Sequence, residues 1–143
     1  MKPVNETVRQ FFEAFETQTT EPGILAERYE EVFLFAGPQG AQAVQKAAFL
    51  QAIPKRAGFF KALGLVSSTI RKLEETRLDE HYRLVKAYWQ MRFEPEGREP
   101  LVEDIAATYL LHQQADELRI VLQLDHQDLL QRVHALGLLP AQG

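Results

Sequence analysis

The chain of 143 residues has no cysteine, two methionines, one tryptophan and only two serines. Without cysteine there can be no disulfide scaffold and no thiol nucleophile. Ser67 and Ser68 lack the flanking glycines of a strained nucleophile turn. No glycine-rich phosphate loop is present. No apolar run approaches the ~20 residues of a membrane-spanning helix. Met1-Lys2-Pro3-Val4 has one basic residue and no apolar stretch behind it, so it does not read as a secretory signal, and the cytoplasm is the expected compartment. Neither charge sign dominates: 16 basic against 20 acidic residues leave a net charge of −4. A mildly acidic chain is repelled by a phosphate backbone unless its basic residues cluster. The one cluster, Arg71, Lys72, Arg77, Arg83 and Lys86, is interleaved with Glu74, Glu75, Asp79 and Glu80, which reads as a self-neutralising solvated face and not a nucleic-acid surface.

Nine phenylalanines and four tyrosines, with 45% apolar and 25% charged residues, argue for a folded globular chain. A chain of this length buries roughly 68–70% of its unfolded surface, so one domain over residues 1–143 is expected.

Asn5 is placed to cap a first helix, whose stripe is Val8, Phe11, Phe12 and Phe15. A short second helix is expected from Pro22 to Arg28. Around Val32, Leu34 and Ala36 the pattern reads as a strand covered on both faces. Gly37-Pro38-Gln39-Gly40 would turn it back into residues 41–45. Lys46 to Leu63 is helical in composition, with Pro54 predicting a kink or two shorter helices and Gly64 an end. Four strands follow: 66–78 with 82–93, then 101–113, then 118–125. Val85, Ala87, Trp89, Met91 and Phe93 share one face of the second, and Ile105, Ala107, Tyr109 and Leu111 one face of the third. A three-residue loop at Asp79-Glu80-His81 would set Glu74 opposite Lys86. In the last strand Leu118, Ile120, Leu122 and Leu124 alternate with Arg119, Val121, Gln123 and Asp125. Asp125 then reads as the cap of a final helix, with Asp128 at its third position and Gly137 at its end. Helices segregated from consecutive strands mean α+β: a curved antiparallel sheet with the N-terminal helices on its concave face, a cone-like barrel.

This order resembles the nuclear transport factor 2-like, or SnoaL-like, fold over about residues 5–138. The resemblance is carried by Phe11, Phe12 and Phe15, by Tyr29-Glu30-Glu31-Val32-Phe33-Leu34-Phe35 entering Gly37-Pro38-Gln39-Gly40, and by the Pro54-Lys55-Arg56 break. Tyr88-Trp89-Gln90-Met91-Arg92-Phe93 and Gln123-Leu124-Asp125-His126-Gln127-Asp128 complete it. It is similar to bacterial members without assigned function. The superfamily includes isomerases, dehydratases, epoxide hydrolases, polyketide cyclases and non-catalytic modules, so the fold does not select a reaction. The resemblance implies an isomerase base just before a proline in the first hairpin, but Gly37 stands there. It implies a His–Asp pair for a dehydratase, but Asp104 and His112 are roughly 27 Å apart along one strand at ~3.4 Å per residue. It implies a carboxylate–Arg–carboxylate set for an epoxide hydrolase, for which Asp104, Arg92 and Asp125 could lie on adjacent strands, but strand parity puts Arg92 and Asp104 on the face opposite Trp89 and Ile105.

The densest polar group is Asp125-His126-Gln127-Asp128. It reads either as a base, His126, oriented by Asp128, or as a helix cap with an acidic first turn. The four histidines sit on separate elements, or eight residues apart for His126 and His134, so no metal is expected, and no cofactor motif is present. Tyr29, Phe33, Phe60, Trp89 and Tyr109 read either as core or as the lining of a pocket for a small apolar organic ligand. Leu84, Tyr88, Ala106, Thr108, Leu110 and Val121 make the opposite sheet face too apolar for full solvation, which suggests a homodimer through the sheet.

Overall fold

The computed structural model describes residues 5–18 and 25–138. Its elements are α1 (Glu6–Gln18), β1 (Tyr29–Gly37), β2 (Gly40–Gln45), α2 (Lys46–Ala62), β3 (Leu65–Arg77), β4 (Tyr82–Phe93), β5 (Leu101–Gln114), β6 (Glu117–Asp125) and α3 (Leu129–Ala135). Of the short helix expected from Pro22, the first residues lie outside the described ones. Leu25 and Ala26 are helical and the chain turns at Glu27-Arg28.

Six strands form one sheet in the order β2-β1-β6-β5-β4-β3. All neighbours pair antiparallel except β1 and β6, which are parallel. The sheet is therefore mixed, where element order had suggested antiparallel pairing throughout. After the β1–β2 hairpin, α2 carries the chain to the far edge. The four-strand meander then returns to β1 running in the same direction. The sheet is α+β in class but not closed, because β2 and β3 remain edges.

The Asn5 side chain accepts from the Thr7 N–H at 2.9 Å and starts α1. The predicted stripe, Val8, Phe11, Phe12 and Phe15, is wholly buried. It packs on the face of Val85, Ala87, Trp89, Tyr109, Leu111 and Ile120, with Phe12 and Tyr109 rings 5.0 Å apart. A second cluster holds Phe60 and Leu63 from the end of α2, Met91 and Phe93 from β4, and Val133 from α3. Ile105 packs against both clusters. The described helices pack on one face of the sheet. Val32 and Leu34, expected to be covered, are therefore 48% and 44% exposed. α2 runs unbroken through Pro54. That ring stands in solvent, and the burial of Ile53 and Phe60 on either side holds the helix through it.

Glu74 does pair with Lys86. Lys72 lies 4.0 Å from Glu74, the Tyr88 hydroxyl donates to Glu74, and Arg83 pairs with Glu75. Lys72, Arg83 and Lys86 of the basic cluster are thus met by acids on the same two strands.

Gly64 ends α2 at φ +97°, and a Cβ there would come within 2.8 Å of the Pro95 backbone. The Glu94 N–H donates to the Gly64 carbonyl at 2.7 Å, fixing that approach. Gly64→Ala is expected to cost roughly 1–3 kcal/mol from strain alone, read as a lowered urea midpoint with unchanged slope.

Candidate functional site

The site is made by one extra residue in β6. Leu111 pairs with Ile120, but Leu110 pairs with Leu122, so Val121 is a bulge. A one-residue shift exchanges the faces of everything beyond it. The sequence pattern had put Leu122 and Leu124 inward. Instead Gln123 lies opposite Tyr109 and Asp125 opposite Ala107, on the face that carries the helices, while Leu122 and Leu124 face out with Leu110 and Thr108.

A polar chain results inside an aromatic setting. The Tyr29 hydroxyl donates to Gln123 Oε1 at 2.7 Å, and Gln123 Nε2 donates to Asp125 Oδ1 at 3.1 Å. The Tyr29 ring is buried between Phe33 (4.6 Å) and Phe49 (4.7 Å). Beside this chain, Trp89 and Tyr109 are buried in the same cluster. Phe35 is the β1 partner of Gln123. A Cβ on Gly37 would lie 3.8 Å from the Asp125 carbonyl oxygen, so the first hairpin turn stands beside the end of β6.

Burial is the largest influence on all three acidic groups. It pushes the Asp125 carboxyl above the usual carboxylate range and the Tyr29 hydroxyl well above that of a free phenol. Tyr109 is raised likewise, with the Asp125 charge adding to the rise. The Arg56 charge on α2 partly offsets each rise. Arg56 is exposed, its guanidinium 5.0 Å over the Phe60 ring. Asp125, Gln123 and Phe35 are only partly buried, so solvent reaches this end of the face.

Of the five expected lining residues, Tyr29, Phe33, Trp89 and Tyr109 lie in one cluster. Phe60 belongs to the second, with the Arg56 guanidinium over its ring. Two surface clefts lie elsewhere. One of about 430 Å³ is lined by Lys61, Leu63, Gly64, Glu94, Arg98 and Gly137 among others. One of about 110 Å³ is lined by Glu30, His112, Gln114, Glu117 and Arg119.

His126 and Asp128 are brought to other work. His126 Nε2 hydrogen-bonds Thr108 Oγ1 at 2.7 Å on the outer sheet face, and its ring is exposed. The cap of α3 is Asp128, not Asp125: its Oδ1 accepts from the Gln131 N–H at 3.1 Å and its Oδ2 from Gln39 Nε2 at 2.6 Å. Asp104 accepts from Gln90 on the outer face, apart from Asp125. Among the described residues, no three of His, Asp and Glu are grouped to hold a metal ion.

Sequence reasoning missed Gln123 and Asp125 as inward groups. The signal was the apolar triplet Ile120-Val121-Leu122, which breaks the alternation of the strand.

No protein-family model and no curated protein matches the chain. Solved structures do match in fold. An NTF2-like protein with a cystatin-like fold from Novosphingobium aromaticivorans superposes with a TM-score of 0.69 at 13% identity, over 95% of this chain and 88% of that one. An NTF-2 like protein of unknown function from Shewanella oneidensis gives 0.63 at 16% identity, over 85% and 98%. Aln2 from a Streptomyces species gives 0.67 at 18% identity, over 94% and 99%. The chain has the nuclear transport factor 2-like fold.

Two outcomes follow from this geometry. Folding raises the Asp125 pKa, so ionisation opposes the folded state. Stability is full below the unfolded carboxylate pKa of about 3.9 and is lost as pH rises toward the folded value. Asp125→Asn keeps the oxygen that accepts from Gln123 and should raise Tm at pH 7, the gain vanishing below about pH 4 in a thermal melt series. Asp128→Ala should cost about 1 kcal/mol as a lost cap, while His126→Ala should stay within about 0.5 kcal/mol in chemical denaturation.

Proposed function

We propose that the chain is a single domain that binds a small organic molecule at the Asp125 end of the helix-covered sheet face. The observation that carries this is the Tyr29–Gln123–Asp125 chain. A strand that could have turned two leucines inward bulges, and turns in an amide and a carboxyl. That arrangement opposes stability, and such a cost marks a site kept for another purpose. The aromatic groups Tyr29, Phe33, Trp89 and Tyr109 form the apolar backing, and Phe35 lies beside Gln123. A cofactor-free isomerase, dehydratase or hydrolase is the catalytic form of the same reading. Asp125, with its raised pKa and its orientation by Gln123, is better suited than His126 to hold or release a proton there.

A thermal-shift screen against small apolar acids, sterol-like and polyketide-like compounds tests the reading. A ligand at ~100 times its Kd adds about 2.7 kcal/mol, or several degrees for this size. The shift should disappear in the double variant Gln123→Leu, Asp125→Leu. A shift that survives those changes, or none across the library, overturns the site.

A specific observation favours a second surface. Ala43, Leu34, Leu122, Leu110 and Leu84 are successive partners across β2, β1, β6, β5 and β4 on the outer face. Four leucines in one row across the sheet suit a two-fold homodimer, with Lys72, Glu74 and Lys86 offering both charge signs beside it. Sedimentation should give a dimer at micromolar concentration, and Leu122→Lys a folded monomer. A wild-type monomer refutes the interface.

A further inference from the structure

The open sheet has two edges, and the sequence treats them differently. β3, the longer edge, carries Arg71, Lys72, Glu74, Glu75 and Arg77. Its ladder to β4 is also broken twice, by bulges at Val66 and Arg71. Charges and bulges are the devices that keep an exposed strand from pairing with another chain. β2, the other edge, has neither. Gly40-Ala41-Gln42-Ala43-Val44-Gln45 holds no charge and no proline, and its register on β1 runs unbroken from the Val32–Gln45 pair to the Gly37–Gly40 pair. Among the described residues no strand lies on its other flank, and no turn or loop reaches it by a backbone hydrogen bond. All its residues but Val44 are exposed. At ~3.4 Å per residue the strand is about 20 Å long, enough for a row of ladder bonds.

The lack of charge extends beyond the strand. From Val32 to Pro54 the chain has 23 residues and one charged side chain, Lys46, where the chain's 25% average would give about six. Lys46 is itself turned away from the edge. It donates to the Ala26 and Tyr29 carbonyls at 2.8 and 3.3 Å and lies 3.0 Å from Glu31. α2 starts directly from β2, and Ala47, Ala48, Gln51 and Ala52 on its first turns are exposed and uncharged. Depletion of charge from an exposed surface is the compositional mark of an interface core. The occupant that suits this edge is a second copy of the chain. An antiparallel strand is its own complement about a two-fold axis, because every pairing of i with j is repeated as j with i. With no charge on β2, no like charges meet in any register. Six residues of strand with the start of one helix make a contact below the ~1,200 Å² of a tight complex, so the pairing is weak, with a Kd of about 0.1–1 mM.

We propose that β2 pairs with β2 of a second copy across a two-fold axis, extending the sheet in its own plane. This pairing leaves the outer face free, so it adds to an association through the leucine row and does not depend on one.

Sedimentation equilibrium of the wild-type chain between about 10 μM and about 1 mM tests it. The weight-average mass should rise by about half or more over that range, from whatever state the outer face sets at the lower concentration. Gln42→Lys with Ala43→Lys puts charge on the edge at two exposed positions and should abolish the rise. Ser67→Lys with Thr69→Lys adds the same charge at exposed positions of β3 and should leave the rise unchanged. In NMR spectra over the same range, the backbone amide signals that move should lie in β2 and not in β3. A constant mass overturns the proposal. A rise lost equally with both pairs of substitutions is a general charge effect and overturns it too. So does a rise that survives the β2 substitutions, and its loss with Leu122→Lys would then assign it to the outer face.

Discussion

The organisation of this protein turns on the bulge at Val121. Up to Ile120, β6 contributes aliphatic side chains to the core, as an alternating strand should. One residue later the parity reverses. Two consequences come from the same event. The covered face receives Gln123 and Asp125, which give the aromatic core a polar end, and the outer face receives Leu122 and Leu124, of which Leu122 joins Leu34 to Leu110 and Leu84 in one row. The polar end of the covered face and the outer surface are therefore not independent features. Removing the bulge would exchange them, placing leucines in the site and a carboxyl in the middle of the outer face.

Around this point the remaining structure acts as support. α1 fills the covered face with three phenylalanines, Phe11 edge-on to Phe12 and Phe15, and Phe12 tilted against Tyr109. Glu103, buried on β5, is met by Arg132 of α3, and Arg98 donates to the carbonyls of Leu136 and Gly137. These contacts fix α3 over the second cluster. Gln39 at the hairpin tip reaches the Asp128 cap. The elements bordering Asp125, namely the first hairpin and the start of α3, are thereby tied to each other, so the carboxyl sits within a defined frame.

Much of the fold was legible in the sequence. The buried stripe of α1, the inward faces of β4 and β5, the hairpin turn at Pro38-Gln39 and the Glu74–Lys86 register are all local matters of spacing, and the structure has them. What was not legible depends on distant partners. Val32 and Leu34 have the apolarity of a covered strand, and the placement of the described helices on the other face leaves them in solvent. Pro54 obeys a local rule that the burial of Ile53 and Phe60 overrides. The inward turn of Asp125 follows from how β6 registers on β5, and an apolar triplet was its only trace. Tyr29, Trp89 and Tyr109 could be named as candidates because a buried aromatic with a polar tip needs a partner. Gln123, the partner of Tyr29, could not be named, since alternation put it on the wrong side.

The parallel pairing of β1 with β6 has a consequence for how the chain is made. β1 is complete by residue 37, but its partner on that side begins at residue 117. During synthesis from the N-terminus, the β1–β2 hairpin must therefore wait, with one flank unpaired, until about eighty further residues have been made. A two-stranded hairpin is marginal alone, and an open strand edge is a template for wrong pairing. The last strand thus closes the sheet in time as well as in space, and the period before it emerges is when this protein is most exposed to misassembly.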